Sequence, residues 1–125
     1  MIVGIGIDLQ DITEFRRTLD RAGEPYLNRV FTRQELDHCW TQVEPHQSLA
    51  VRFAAKEAAI KALGIAGETG LKWHDFEVVS EPSGKPGLKL SGKAEEQARQ
   101  LGLQGVLLSL SHSGSTAAAV VIAEA

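Results

Sequence analysis

The sequence predicts a single α+β domain, residues 1–125, in which helices pack on a small antiparallel sheet in the order βαααββαββ. Three observations support this prediction. Apolar segments at both ends of the chain are short and bounded by turn residues, as strands are. Two pairs of such segments flank Gly/Pro or Ser/Gly turns, which indicates antiparallel hairpins. Three helical segments also follow one another without a strand between them, unlike the alternating pattern of a doubly wound sheet.

The N-terminal segment MIVGIGI predicts a short buried strand, because it is apolar and rich in β-branched residues. Asp11 then offers a helix N-cap, and Glu14 follows three residues later, which is a capping-box pattern. Gly23 is a typical C-terminal stop for this first helix.

The remaining elements are each bounded by a capping or turn signal. Ser83 to Gly87 reads as the turn of a first hairpin, and residues 113–115 as the turn of a second one. The predicted helices run from Thr32 to about Val43, over 45–64, and from Ser91 to Leu101.

Composition narrows the classes of function. A chain of 125 residues that is 43% hydrophobic can bury roughly two-thirds of its unfolded surface in one core. The net charge of −3 argues against nucleic-acid binding. No apolar run approaches the roughly 20 residues that span a bilayer, and the N-terminus lacks a signal peptide's basic region. The single cysteine, Cys39, excludes an internal disulfide. We therefore expect a cytoplasmic protein without nucleic-acid or membrane partners.

The segment RFAAKEAAIKALG, residues 52–64, predicts an alanine-rich helix that is apolar nearly all round and buried on several sides. Arg52 and Lys56 stand four apart as a like-charge pair without a carboxylate at helical spacing. Glu57 and Lys61 form an ordinary i, i+4 pair. One interpretation is a metal–phosphate site, in which the carboxylate holds Mg²⁺ and the cations neutralise phosphate. The other interpretation is that these charged side chains simply face solvent on the flanks of the helix.

Common motifs do not explain the remaining polar residues. GIGID lacks the third glycine of a dinucleotide fingerprint because Leu9 stands there, and SGKPG lacks the P-loop pattern. Asp8, at the end of the apolar strand, is either a metal ligand or catalytic acid, or simply a turn residue. His112 lies at the end of an apolar strand, and the serines around it do not form a nucleophile elbow. It is either a base or phosphate ligand, or a structural histidine.

Basic residues concentrate in the predicted first helix and just beyond it. These arginines could dock an acidic partner if they share a face, or could form a solvated surface of mixed charge with Glu14, Asp20 and Glu24. The candidate docking residues are Arg16, Arg17, Arg21 and Arg29.

Taken in order, several segments resemble the holo-acyl-carrier-protein synthases, the short type of 4′-phosphopantetheinyl transferase. The segments are GIGIDLQDI, RVFTRQEL, RFAAKEAAIKALG, DFEVVSEPSGKP and SLSHSGSTAAAVVI, and they extend over about residues 3–123. The resemblance implies the 4′-phosphopantetheinyl transferase fold. It also implies transfer of the phosphopantetheine arm of coenzyme A to a serine of an acyl carrier protein, with 3′,5′-ADP as the second product and a role in fatty acid biosynthesis. Small members are typically homotrimers with sites between subunits.

The resemblance also implies site residues. Asp8 and Glu57 match the ligands of a Mg²⁺ that bridges the coenzyme A diphosphate, and Lys61 matches a phosphate contact and possible acid. Arg52 and Lys56 match further phosphate contacts. Segments that line the coenzyme A site correspond to Gly84, Lys85, Pro86, Ser111 and His112.

Three alternatives remain for the base that takes the proton of the carrier serine: a metal-bound water, Asp8 or His112. Two departures from the family pattern stand out. Ile65 and Ala66 replace the threonine-containing Gly-Thr-Gly sequence that often follows the third helix. In addition, acidic residues dilute the first helix, which is often strongly basic in relatives.

Overall fold

A computed structural model describes residues 1–65 and 70–125. Within these residues the helices and strands follow the predicted order, with one added 3₁₀ turn at Trp73–Asp75. The α+β class is therefore confirmed. The elements are β1 (Ile2–Asp11), α1 (Ile12–Val30), α2 (Arg33–Trp40), α3 (Pro45–Ala62), β2 (Phe76–Ser80), β3 (Pro86–Leu90), α4 (Gly92–Gln100), β4 (Gly105–Ser113) and β5 (Thr116–Glu124).

The strands form two antiparallel sheets. One sheet has three strands in the order β1-β5-β4, and the other is the β2–β3 hairpin. β3 packs near β4, but the described residues show no hydrogen-bonded ladder between them. Consequently the predicted single sheet is divided in two. In the larger sheet Asp8 lies opposite Ala119, which in turn lies opposite Leu110.

The prediction that β1 is a buried strand is wrong for one of its faces. Gly4 and Gly6 lie against α3, so closely that an added Cβ would stand 1.9 Å from the carbonyl oxygens of Ala62 and Ala58. Glycine thus permits direct contact between strand and helix backbones. The large side chains that alternate with these glycines point away from α3 and are 59–66% exposed: Ile5, Ile7 and Leu9.

The capping signals are confirmed at the start of α1 and α2, whereas Ser91 makes no side-chain cap hydrogen bond at the start of α4. Asp11 accepts a hydrogen bond from the backbone of Glu14, and Thr32 forms a complete capping box at the start of α2. Gly23 interrupts the helical geometry of α1 with a φ of 73°, but a second helical segment that includes Pro25 continues to Val30. α2 ends at Trp40, three residues before the predicted end.

α3 is the centre of the domain, as its apolar composition predicts. Its alanines and leucines contribute to two apolar clusters, one beneath the sheets and α4 and one against α1 and α2. In the second cluster Phe15 packs edge-on against Phe31 and lies beside Phe53. None of the described helices is both long and apolar enough to cross a membrane.

Candidate active site

Asp8 and Lys61 meet where β1 lies on α3. Asp8 is not at the end of the strand, since β1 continues to Asp11, and its side chain shares the helix-covered face of Gly4 and Gly6. Lys61 Nζ donates to the Ile7 carbonyl at 3.0 Å and to Asp8 Oδ1 at 3.3 Å. The close glycine contact thus allows a side chain near the end of α3 to reach across to the strand.

Glu57 lies one helical turn before Lys61 and completes this cluster. Its pKa is raised by burial and then by the negative charge of Asp8, while Lys61 lowers it. The two carboxylates are therefore near enough to repel each other. A divalent cation between them would relieve that repulsion, and carboxylate oxygens are the ligands Mg²⁺ prefers. Mg²⁺ is commonly held by one or two carboxylates together with substrate phosphates, so this donor set fits the ion.

Lys56 is not available to a phosphate, contrary to the sequence-based expectation. Its side chain is completely buried, and Nζ donates to Glu35 Oε1 at 2.8 Å and to the carbonyls of Trp73 and Phe76. Glu35 also accepts from the backbone of Val78. The carboxylate that appeared missing from α3 is supplied by α2, so the ion pair joins α2, α3 and β2 in the interior.

Arg52 and His112 border a second polar cluster, which lines a cavity of about 300 Å³. Arg52 Nη1 donates to Ser48 Oγ at 2.8 Å, and Gln47 Nε2 lies 3.2 Å from His112 Nδ1. Among the described residues, buried Arg52 Nε has no hydrogen-bond partner. The cluster combines a cation, a histidine and neutral donors, which suits an anionic group, although the carboxylate-bearing Glu44 also lines the cavity.

Within one chain this second cluster is separate from Asp8. His112 lies on β4, two strands away from Asp8 and two residues further along the ladder. From ordinary strand spacings their Cα atoms are roughly 12 Å apart. Ser111 and His112, both expected to line the coenzyme A site, are consecutive strand residues, so their side chains point to opposite faces of the sheet.

The predicted first hairpin is confirmed, but its turn spans 81–85, because Pro86 and Gly87 already pair with β2. The Glu81 backbone donates to the Lys85 carbonyl at 2.8 Å, and Gly84 adopts a φ of 86°, in the left-handed region that favours glycine. Lys85 is exposed and Pro86 begins β3. In the described part of the chain, no side-chain hydrogen bond or ion pair joins this turn to Asp8 or His112.

The four candidate docking arginines are all exposed. Arg17 and Arg21 stand four apart, on the side of α1 opposite the buried Phe15 and Leu19. Arg17 is paired with Glu14, which neutralises part of the patch. Arg16 lies on the flank of this face.

Arg29 follows the break at Gly23, and its guanidinium stands 5.7 Å from the centre of the Tyr26 ring. The arginines therefore form a divided surface rather than one continuous patch. In the first departure from the family pattern, Ile65 is partly buried against the core, whereas Ala66 lies outside the described residues.

Sequence reasoning missed two polar partners. Glu35 was visible only as the third residue of a capping box, and nothing in its spacing points to Lys56. Gln10 was overlooked, although strand alternation places it on the same face as Asp8. Its Nε2 donates to Asp8 Oδ2 at 2.7 Å.

Comparison with known proteins identifies the family of this chain. Residues 4–121 match the family model described as the 4′-phosphopantetheinyl transferase superfamily. The chain belongs to this superfamily. A holo-[acyl-carrier-protein] synthase of Geobacter sulfurreducens is 45% identical over 124 residues, covering 99% of this chain and 98% of the relative.

Solved structures of the superfamily share the fold of this transferase. The crystal structure of holo-[acyl-carrier-protein] synthase from Neisseria meningitidis superposes with a TM-score of 0.90 at 30% identity, over 100% of both chains. The Helicobacter pylori synthase, solved in complex with coenzyme A, gives a TM-score of 0.83 at 29% identity, over 96% of this chain and 99% of that one.

Proposed function

We propose that this protein is a Mg²⁺-dependent holo-acyl-carrier-protein synthase. It transfers the 4′-phosphopantetheine arm of coenzyme A to a serine of an apo-acyl carrier protein, releases 3′,5′-ADP and supports fatty acid biosynthesis. The observation that carries the proposal is the cluster of Asp8, Glu57 and Lys61 where β1 meets α3. The relatives named as synthases, and the coenzyme A complex among them, support the substrates.

Asp8 and Glu57 would hold the metal. When bound, Mg²⁺ supplies the positive charge that makes a diphosphate phosphorus open to attack. Lys61 adds to that charge. Its side chain is 53% exposed and held only by Ile7 and Asp8 within the described residues, so Nζ can turn to a phosphate oxygen. In the transfer, a bond forms between the serine oxygen and phosphorus, and the bond from phosphorus to 3′,5′-ADP breaks.

Arg52 and His112 are the further contacts we propose for coenzyme A, since their cavity offers cationic and neutral donors to a phosphate. The turn residues Gly84, Lys85 and Pro86, together with Ser111, stay in the proposed binding surface on the strength of the family resemblance alone. Lys56 is excluded from it, because its amino group is used in the interior.

Asp8, or a metal-bound water beside it, is better placed to take the proton of the carrier serine than His112 of the same chain. His112 lies two strands away from Asp8, whereas Asp8 carries its charge beside the proposed phosphate site. His112 could serve as the base only from another copy of the chain. A homotrimer with sites between subunits is part of the proposal.

The outward face of the larger sheet supports such an assembly. On this face Ile5 lies opposite Ile122, and Ile7 lies opposite Val120, so apolar residues continue from β1 onto β5. Leu107 on β4 extends the patch and is 47% exposed. Exposed apolar surfaces of this kind commonly mark protein interfaces.

The acidic carrier would dock on the exposed arginines of α1. Changing Arg17 and Arg21 together to glutamate should raise the KM for the carrier and leave the KM for coenzyme A unchanged. The reason is that long-range electrostatic attraction acts mainly on the rate at which the acidic carrier meets the enzyme. The effect should shrink as salt is added. A mutant with an unchanged carrier KM at low salt would contradict this docking surface.

The cytoplasmic location stays a prediction.

The decisive experiment is a transfer assay followed by mass spectrometry of the carrier. With coenzyme A and Mg²⁺, the carrier should gain the mass of one phosphopantetheine arm, and a carrier whose acceptor serine is alanine should gain nothing. Glu57→Gln should abolish transfer while the protein stays folded, because the amide keeps the size but loses the charge. Absence of a mass gain with every carrier tested would refute the proposal. Release of 3′,5′-ADP without a carrier would indicate hydrolysis instead.

A further inference from the structure

Gln10 contacts the carboxylate of Asp8 directly. We propose that Gln10 is a positioning residue that fixes the orientation of this carboxylate and thereby sets the metal affinity of the site. This inference rests on the proposed metal-binding role of Asp8.

The contacts of the Asp8 carboxylate divide between its two oxygens. Oδ2 accepts from Gln10 Nε2 at 2.7 Å, and Oδ1 accepts from Lys61 Nζ at 3.3 Å. Gln10 is partly buried and lies two residues after Asp8 on the same strand, so both side chains stand on the face that meets α3. Because each oxygen has a donor on its own side, rotation of the carboxylate about its Cβ–Cγ bond is opposed.

The two donors are not equivalent. Lys61 is a half-exposed cation at the longer distance, which is free to turn from Asp8 to a phosphate. Gln10 is a neutral amide at the shorter distance, so it orients the carboxylate without neutralising its charge. When Lys61 leaves, the Gln10 bond still holds Oδ2, and Oδ1 keeps its orientation toward the position that Lys61 vacates.

A neutral donor suits this position because the site must stay attractive to a cation. The pKa of Glu57 is raised by its burial and further by the charge of Asp8, while Lys61 lowers it, so the two carboxylates repel each other even with Lys61 nearby. A second cation in place of Gln10 would compete with the metal, and an apolar residue would leave the Asp8 carboxylate free to rotate. Hydrogen-bond partners of metal ligands typically contribute 10–100-fold to metal affinity or activity.

The test is Mn²⁺ binding to the protein with coenzyme A present and no carrier, followed from the electron paramagnetic resonance signal of free Mn²⁺. Gln10→Met keeps the approximate size of the side chain and removes its donor. We expect this variant to bind Mn²⁺ about 10–100-fold more weakly with an unchanged Tm. The Mg²⁺ concentration for half-maximal transfer should rise by a similar factor, and kcat at saturating Mg²⁺ should stay near that of the unmodified protein.

Two controls separate the possible failures. Gln34→Met makes the same change at an exposed position of α2 and should bind Mn²⁺ like the unmodified protein. Glu57→Gln removes a proposed ligand and should lose binding. If Glu57→Gln loses Mn²⁺ and Gln10→Met does not, the role of Gln10 is overturned while the metal site stands. If the unmodified protein binds no Mn²⁺, the proposed metal site itself fails, and the inference fails with it.

Discussion

Removing the amino group of Lys56 should destabilise the fold without removing a substrate contact. In Lys56→Met, Glu35 would stay buried without its cation, and the carbonyls of Trp73 and Phe76 would lose a donor. Breaking a buried ion pair by removing one partner costs about 3–5 kcal/mol. The backbone N–H groups of Thr32 and Val78 still donate to the Glu35 carboxylate in this variant. We therefore expect a loss of stability in the lower half of that range.

Urea unfolding followed by tryptophan fluorescence measures this loss, and a thermal scan should show Tm lowered by roughly 10–20 °C for a chain of this length. Asp37→Asn is the matched control, because its partner Arg33 and Asp37 itself are largely exposed. That change should cost well under 1 kcal/mol. A similarly small loss for Lys56→Met would refute the buried pair.

A double-mutant cycle tests the reasoning further. Adding Glu35→Gln to Lys56→Met removes the stranded charge, so the double variant should unfold with a smaller loss than the sum of the two single changes. At a temperature where Lys56→Met is folded, its KM for coenzyme A should match that of the unmodified protein. A KM raised tenfold or more would mean that Lys56 contacts a phosphate after all.

Three other predictions follow from the packing. Gly6→Ala would place a Cβ 1.9 Å from the Ala58 carbonyl oxygen, so it should cost about 1–3 kcal/mol or more in urea unfolding; Gly105→Ala, whose nearest atom would lie 4.0 Å away, should not. Ile7→Asp should dissociate the proposed trimer in analytical ultracentrifugation, and an unchanged sedimentation coefficient would contradict that interface. Burial raises the pKa of the Cys39 thiol, so less thiolate is present at any given pH, and Ellman's reagent at pH 8 should label the folded protein far more slowly than the unfolded one.

Local signals predicted most of the fold. The caps at Asp11 and Thr32, and the turns of both hairpins, were recognisable because they depend on neighbouring residues. The exposed face of β1 was not, since a strand that alternates glycine with isoleucine looks equally apolar whichever side meets the helix. Only the close approach of Ala58 and Ala62 identifies the inner side.

The candidate site shows the same division. Glu57 and Lys61 could be identified from their spacing on one helix together with the family resemblance. The burial of Lys56 could not, because Glu35 is 21 residues distant and belongs to another helix. Charge spacing on a single helix identifies repulsion, but it does not reveal a partner that tertiary packing supplies.

The two faces of β1 have different roles, and the alternation of its side chains is all that separates them. Its even-numbered residues from Gly4 to Gln10 serve the helix contact and the carboxylate site, and the odd-numbered ones form the apolar outer surface. Deleting Ile7 would turn the carboxylate of Asp8 outward and the side chain of Leu9 inward. Over evolutionary time this strand should therefore gain or lose residues only in pairs.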